Sequence, residues 1–418
     1  MPSDVAEAPL EVRGPNLYRN NHTAIEVGNA FWNESERSGV AGIVAELHGG
    51  RLRTAAGHEF VNFSCCSYLD LDSHPAVIQG AVDALRRFGV LDHCIPRARV
   101  QIPALLELEA SLSELFAARV VTALSATTAS QGVLPLVASG HLTGGTRPLM
   151  VFDKNCHVSM SLCKPACADE TEVRTCRHHD LDFLEECCRR YRKVCYVADG
   201  SDSLGGYAPL GELLALQERY GLFLFFDDSH SLSAYGLRGE GYVRGGLGEV
   251  GEDTVIVATL NKAFGTSGAA IMLGGRSPET LRIIERFAGA LAFSQPMNTA
   301  AVGASLASAE IHRTPELARL QERLAANVAL FDSLVPTPQA GATFPIRLVE
   351  VSDARVTVLG RSIFEAGFYV SPVFFPIVAR GSAGLRVMMR AGQSEGDVRG
   401  VCAAIAGAPA AAAAARGS

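Results

Sequence analysis

Four apolar runs in this chain lead into residues able to do chemistry. "LFLFF" (222–226) meets Asp227, Asp228 and His230. "TVIVATL" (254–260) carries Thr259 and leads to Lys262. "PLMVF" (148–152) precedes Asp153 and His157, and "VCYVAD" (194–199) ends on Asp199 with Ser203 just beyond. A carboxylate as deep as Asp227 needs a cationic partner. A lysine after a buried strand is partly desolvated, which lowers its pKa and frees the amine for a Schiff base. Taken alone, Lys262 reads more simply as a lysine snorkelling at a strand end. Asp228 alone reads as a turn aspartate, and His230 as a structural histidine. The small, hydroxyl-rich "SATTASQG" (125–132) precedes an apolar helical run and suits an anion at a helix N-terminus. Taken together, these groups meet the needs of pyridoxal 5′-phosphate. That cofactor takes a lysine for its aldehyde, an aspartate for its ring nitrogen, an imidazole face for its ring and a helix N-terminus for its phosphate.

The elements that must position these residues follow from the patterning. The four runs are short, continuous and rich in Val, Leu and Phe, as strands buried on both faces are. Helical patterns lie between them. "LDFLEECCRRYRK" (181–193) has apolar residues at helical spacing, and "LGELLALQERYG" (210–221) ends on Gly221 as a C′ glycine. This alternation predicts an α/β fold with a mostly parallel sheet flanked by helices. Ligands in such sheets bind beyond the carboxyl ends of the strands. Residues 1–55 read as an N-terminal arm, 56–298 as a large domain, and 299–418 as a smaller C-terminal α/β domain. In the last, one long helical segment runs to about residue 335, and the alanine-rich tail frays after the final helix.

Bulk properties exclude several classes. The 418 residues are 48 % apolar and 19 % charged, which marks a globular chain. A net charge of −7 argues against nucleic acid as the main partner. No run is long enough for a membrane span, and no secretory signal begins the sequence, so a cytoplasmic protein is expected. Eleven cysteines in such a chain argue for free thiols rather than a disulfide framework. "CKPAC" (163–167) and "CRHH" (176–179) come closest to a zinc pattern. Ordinary thiols on helices explain them more simply, and no metal is expected.

"DDSHSLSAYGLRGEG" (227–241) followed by "TLNKAFGTSGAA" (259–270) resembles the α-oxoamine synthases, whose pattern is V-D-D-A/S-H, a glycine-rich loop, then T-x-G-K-A-F-G. "HHDLDFLE" (178–185) resembles their H-N-D-x-x-x-L-E, and "FSQPMNTA" (293–300) their F-S-T-S-x-P-P. The resemblance covers about residues 62–398. It implies a fold-type I aminotransferase-like architecture with a seven-stranded sheet, and a homodimer with shared active sites. It implies that Lys262 bonds the cofactor aldehyde and that Asp227 pairs with the ring nitrogen. His230, assisted by Ser203, would face the phenolic oxygen, and His157 would stack on the ring. Ala126 and Thr127 would give backbone donors to the phosphate, and Thr259 a hydroxyl. Ser294 or Gln295 would reach the phosphate of the neighbouring subunit. Arg386 would take the amino-acid carboxylate.

The substrate half departs from the pattern. S-N-D-Y-L-G-L becomes "CCSYLDL" (65–71), so Cys66 stands for asparagine. G-S-G-G-S-R-x-x-S-G becomes "LDHCIPRARV" (91–100), which makes His93 and Arg97 candidates for substrate contact. L-T-A-S-H-T becomes "MRAGQS" (389–394). The implied reaction is decarboxylative condensation of an amino acid with an acyl thioester, of coenzyme A or a carrier protein, to an α-amino ketone in specialised biosynthesis. Transamination, decarboxylation or β- or γ-substitution on the same cofactor are the alternatives. A non-catalytic scaffold is disfavoured because Lys262 is present.

Overall fold

The computed structural model describes residues 21–414 apart from 49 and 276, with side chains from residue 24 to 408. Its centre is a seven-stranded sheet. In chain order the strands are β1 (Arg119–Ala123), β2 (Leu149–Asp153), β3 (Val173–Cys176), β4 (Val194–Asp199), β5 (Phe223–Asp227), β6 (Thr254–Thr259) and β7 (Ala269–Leu273). Their spatial order is β1-β7-β6-β5-β4-β2-β3. Only β7 runs antiparallel to its neighbours, because it returns from β6 through a hairpin. Every residue of β5 is buried. Leu224 and Phe226 enter one hydrophobic core, with the helices Pro103–Phe116 and Leu210–Tyr220. Phe223 and Phe225 enter the opposite core, with Ala126–Ala138 and Pro278–Phe287. The sheet is therefore covered on both faces, as its continuous apolar strands require.

Two smaller sheets lie beyond it. Ile346–Glu350, Gly384–Met388 and Ser371–Val373 form an antiparallel trio with Gly384–Met388 in the middle. Ala45–His48, Arg51–Thr54 and Glu59–Asn62 form a meander that pairs in parallel with Phe368–Tyr369. Within the segment read as an arm, residues 21–55 thus carry a helix and two strands; residues 1–20 lie outside the described part. The helix Asn21–Arg37 rests on Phe374 through Phe31 and Trp32, with ring centroids 5.2 and 5.3 Å away.

Two expectations are corrected. The long helical segment after residue 300 is two helices, Thr299–His312 and Pro315–Leu334. Pro315 has no N–H to continue the first helix, and Thr314 caps the second by accepting the Glu316 N–H. The alanine-rich tail does not fray at once: the helix Glu395–Ala414 runs through most of it, as the high propensity of alanine favours. All eleven cysteines are free thiols. Among the described residues no helix is long and apolar enough to cross a membrane.

One close contact joins the 65–71 segment to the residues that follow the strand Gly384–Met388. Asp70 holds a left-handed backbone (φ 55°). Its carboxylate pairs with the Arg390 guanidinium and accepts the Gly392 N–H at 2.6 Å.

The 91–100 segment is anchored through Arg97. Arg97 is buried, and both of its terminal nitrogens are engaged. Nη1 donates to Glu109 Oε1 at 2.7 Å and to the Thr122 carbonyl, and Nη2 to Glu109 Oε2 and Glu285 Oε1, both at 3.1 Å. Glu109 also accepts the Thr122 N–H and hydroxyl at 2.8 Å. This guanidinium ties the loop to the helix Pro103–Phe116 and to β1, and among the described residues its buried Nε is left without a partner. Arg97→Met leaves Glu109 charged and buried, and should lower the unfolding free energy by about 3–5 kcal/mol in a denaturant titration. Unchanged stability with a raised KM for a substrate would favour the substrate role instead.

Candidate active site

Lys262 lies in the hairpin between β6 and β7. The loop is closed by the Leu260 N–H on the Gly268 carbonyl at 2.9 Å. It is seated tightly, because a side chain at Gly265 (φ +78°) would come within 2.4 Å of the Leu71 backbone. Only glycine fits there. Burial pushes the Lys262 amine below the ordinary lysine pKa, and Arg386 adds to that push. Asp227, Cys66 and Asp199 pull it back up.

Asp227 closes β5. Its Oδ1 accepts the Ser229 N–H at 3.0 Å and its Oδ2 the Ser159 hydroxyl at 3.4 Å. Ser229 Oγ accepts the Thr259 N–H at 2.8 Å, which ties the ends of β5 and β6 together. Among the described residues no ion pair reaches this buried carboxylate. A cation opposite it would complete its surroundings, and a protonated ring nitrogen is such a cation.

Two histidines flank the pair. His157 begins the short helix Val158–Ser161 and shares a hydrogen bond between its Nδ1 and Ser159 Oγ at 2.8 Å. Its ring remains open to solvent, as stacking on a flat ligand requires. His230 is buried, and its Nδ1 is 2.7 Å from the Tyr68 hydroxyl. Burial, then the charges of Lys262 and Arg386, hold its pKa well below the usual imidazole range. A neutral ring fixed at Nδ1 keeps Nε2 for a ligand.

Tyr68 and Asp199 complete the cluster, and sequence reasoning assigned neither of them a role. Tyr68 sits two positions after Cys66 in a segment otherwise notable for its cysteines; its aromatic ring was the available signal. Asp199 faces Asp227 across the β4–β5 register and accepts the His157 backbone N–H at 2.9 Å. Burial, then the charge of Asp227, push its carboxyl well above the usual carboxylate range. The signal for Asp199 was its place at the end of an apolar strand, the same as that of Asp227. Ser203, favoured for a cofactor contact, contributes its carbonyl, which accepts from Arg386 Nη1 at 3.3 Å.

Arg386 lies in the strand Gly384–Met388. Its buried Nε has no partner, and it lines a cavity of about 230 Å³ with Trp32, Tyr369, Phe374 and Ile377. Cys66 places its thiol 3.6 Å from Met388 Sδ and close enough to Lys262 and Tyr68 to affect the protonation of both.

At the other end, Ser125 caps the helix Ala126–Ala138 by accepting the Thr128 N–H at 3.1 Å. The first N–H groups of a helix have no intrahelical partner, so those of Ala126 and Thr127 are free for an anion. The Thr259 hydroxyl braces the hairpin, 3.2 Å from both Asn261 Oδ1 and the Gly268 carbonyl.

The remaining candidates lie apart from these contacts. Gln295 is exposed, and among the described residues the Ser294 hydroxyl bonds to the Gln295 carbonyl alone. His93 packs edge-on against Phe88, with its buried Nε2 unpartnered. Asp228 is a brace: it accepts from the Ser201 hydroxyl and the Val243 N–H, and burial pushes its carboxyl up to about 7.

The residues fit pyridoxal 5′-phosphate. Asp227, Cys66 and Arg386 lie close enough to act on the Lys262 amine, and Lys262 close enough to act on His157 and His230. Comparison with known proteins agrees. The family model for aminotransferase class I and II matches residues 59–405. The 8-amino-7-oxononanoate synthase of Geobacter sulfurreducens is 29 % identical over 377 residues, covering 87 % of this chain and 92 % of that protein. That of Chlorobaculum parvum is 29 % identical over 361 residues, covering 82 % and 88 %. Among solved structures, the Sphingomonas wittichii serine palmitoyltransferase superposes with a TM-score of 0.80 at 19 % identity, covering 94 % of this chain and 99 % of that one. The 8-amino-7-oxononanoate synthase of Francisella tularensis gives 0.66 at 18 % identity, covering 83 % and 96 %. The chain belongs to the aminotransferase class I and II family and, within it, is an α-oxoamine synthase-type transferase dependent on pyridoxal 5′-phosphate.

Proposed function

We propose that this protein joins an amino acid to an acyl thioester, of coenzyme A or a carrier protein, with loss of CO₂ and release of the thiol, to give an α-amino ketone. The observation that carries this reading is Arg386. Its buried Nε is unpartnered, and its charge acts on both Lys262 and His230. When bound, the cofactor supplies an aldehyde and an electron-withdrawing ring that stabilises negative charge at the amino-acid Cα.

The chain's own residues do the rest. Arg386 orients the substrate carboxylate through Nε and a terminal nitrogen. The neutral amine of Lys262 takes the Cα proton and returns one after CO₂ leaves. Asp227 holds the proton on the ring nitrogen, with Ser159 and Ser229 fixing its oxygens. His157 covers the ring. His230, set by Tyr68, donates through Nε2 to the phenolic oxygen. Ala126, Thr127 and Thr259 hold the phosphate, and the exposed Ser294–Gln295 segment serves the site of a second copy in a cytoplasmic homodimer. Cys66 and the rewritten 91–100 segment support an unusual substrate and a place in specialised biosynthesis.

The direct test is incubation of the holoenzyme with each common amino acid, with and without acyl thioesters, read by mass spectrometry. CO₂, free thiol and an α-amino ketone are expected only with both substrates. An amino-acid product without thioester would favour transamination, decarboxylation or substitution instead. Arg386→Lys keeps the charge but loses the fork. A lost charge-assisted hydrogen bond is worth about 1.5–3 kcal/mol, so the amino-acid KM should rise roughly 10- to 100-fold, and an unchanged KM would remove Arg386 from the substrate site. Uptake of pyridoxal 5′-phosphate by the cofactor-free protein requires neutral Lys262. Its rate should rise with pH and level off below the ordinary lysine value of 10.5. Asp227→Asn removes a charge that raises the lysine pKa, so its plateau should come at lower pH. Profiles that climb together to pH 10.5 would contradict the buried, charge-coupled lysine.

A further inference from the structure

At the carboxyl edge of β2 and β3 lies a second cluster that shares no residue with the Lys262 site. Asp153 ends β2. His178 and His179 occupy the turn between β3 and the helix Leu181–Arg190. The two imidazoles stack, with centroids 3.6 Å apart and planes 30° apart. His178 Nδ1 lies 2.9 Å from Asp153 Oδ1. One ligand atom from each of the three residues falls within 4.8 Å of the others. His179 holds a left-handed backbone (φ 53°), and among the described residues its ring nitrogens have no hydrogen-bond partner. The α-oxoamine synthase pattern H-N-D has asparagine where this chain has His179, so the second imidazole is a feature of this sequence.

We propose that Asp153, His178 and His179 bind one divalent transition-metal ion of the zinc type, with water at the open positions. Two imidazoles and one carboxylate are a donor set for zinc, cobalt and related ions. Metal bonds of about 2.0–2.2 Å space their ligand atoms roughly 3–4 Å apart, so rotation of the two rings closes the set.

The surroundings match what ligands need from their neighbours. A ligating carboxylate is itself hydrogen-bonded, and a ligating histidine donates its other N–H to an acceptor. Asp153 accepts from the Asn155 N–H at 2.8 Å, the His179 N–H at 2.8 Å and the Tyr196 hydroxyl at 2.7 Å. With the metal on Nδ1 of His178, the ring proton moves to Nε2. That nitrogen lies 4.0 Å from Asp202 Oδ2. His178 is 37 % exposed, which opens a path for the ion, whereas Asp153 is 2 % exposed. The ion would clamp β2 to the turn after β3, at the start of the loop that leads to His157. This site is independent of the acyltransferase reading, because no reacting group takes part.

The test uses holoenzyme freed of metal by a chelator and titrated with Co²⁺, followed by absorption spectroscopy and thermal unfolding. One equivalent should bind with ligand-field bands of nitrogen and oxygen ligation and no thiolate charge-transfer band, and the unfolding midpoint should rise. His179→Asn keeps a residue that tolerates the left-handed conformation, and should weaken Co²⁺ binding at least tenfold while leaving the cofactor spectrum unchanged. Asp202→Ala removes the carboxylate that lies 4.0 Å from His178 Nε2 and should weaken Co²⁺ binding about tenfold. No saturable binding at millimolar Co²⁺, a thiolate band, or equal affinity in wild type and His179→Asn would each overturn the proposal.

Discussion

Asp227 ends a strand in which every residue is buried, and its carboxylate cannot remain there unmatched. Much of the site can be read as an answer to that constraint. Ser159 and Ser229 satisfy its oxygens, and Ser229 at the same time ties β5 to β6. Asp199 stands beside it in register, and the charge of Asp227 helps push the Asp199 carboxyl up. Lys262 feels the same charge in the opposite sense, since Asp227 holds up an amine that burial would otherwise depress further. A buried negative end to one strand thus adds to the effect of burial at Asp199 and opposes it at Lys262.

Much of this was legible in the sequence because it is local. Apolar runs of five to seven residues announced β2, β4, β5 and β6, and the residues just past them are the ones that meet. Contacts that cross the chain were not legible. Tyr68 reaches His230 over 162 residues, and no periodicity marks that approach. The antiparallel course of β7 depends on a hairpin whose strands carry the same composition as the parallel ones. Arg97 looked free because its partners, Glu109 and Glu285, are 12 and 188 residues away. The break between the helices Thr299–His312 and Pro315–Leu334 was written locally, in the Thr314–Pro315 pair, but the apolar spacing on either side obscured it.

The rewritten segments now divide. Arg97 belongs to the framework, where it holds the 91–100 loop against β1. Cys66 remains beside Lys262 and Tyr68, so the loss of asparagine there alters the enclosure itself. The residues proposed to face the cofactor lie at or just after the carboxyl ends of β2, β5 and β6. The altered ones lie in segments outside the seven-stranded sheet, where side chains can change without moving one of its strands.

Asp70 and Arg390 show how two such changes become one. The family patterns place glycine and threonine at these positions, and here the two replacements face each other. A left-handed backbone suits glycine, so an aspartate arriving there alone would keep only the Gly392 N–H as a partner for its carboxylate. An arginine arriving alone would leave its guanidinium half-buried opposite a glycine. Each residue is the charged partner of the other. A chimera that exchanges residues 65–71 with a relative's must exchange 389–394 as well, or it inherits half of a contact that only makes sense whole.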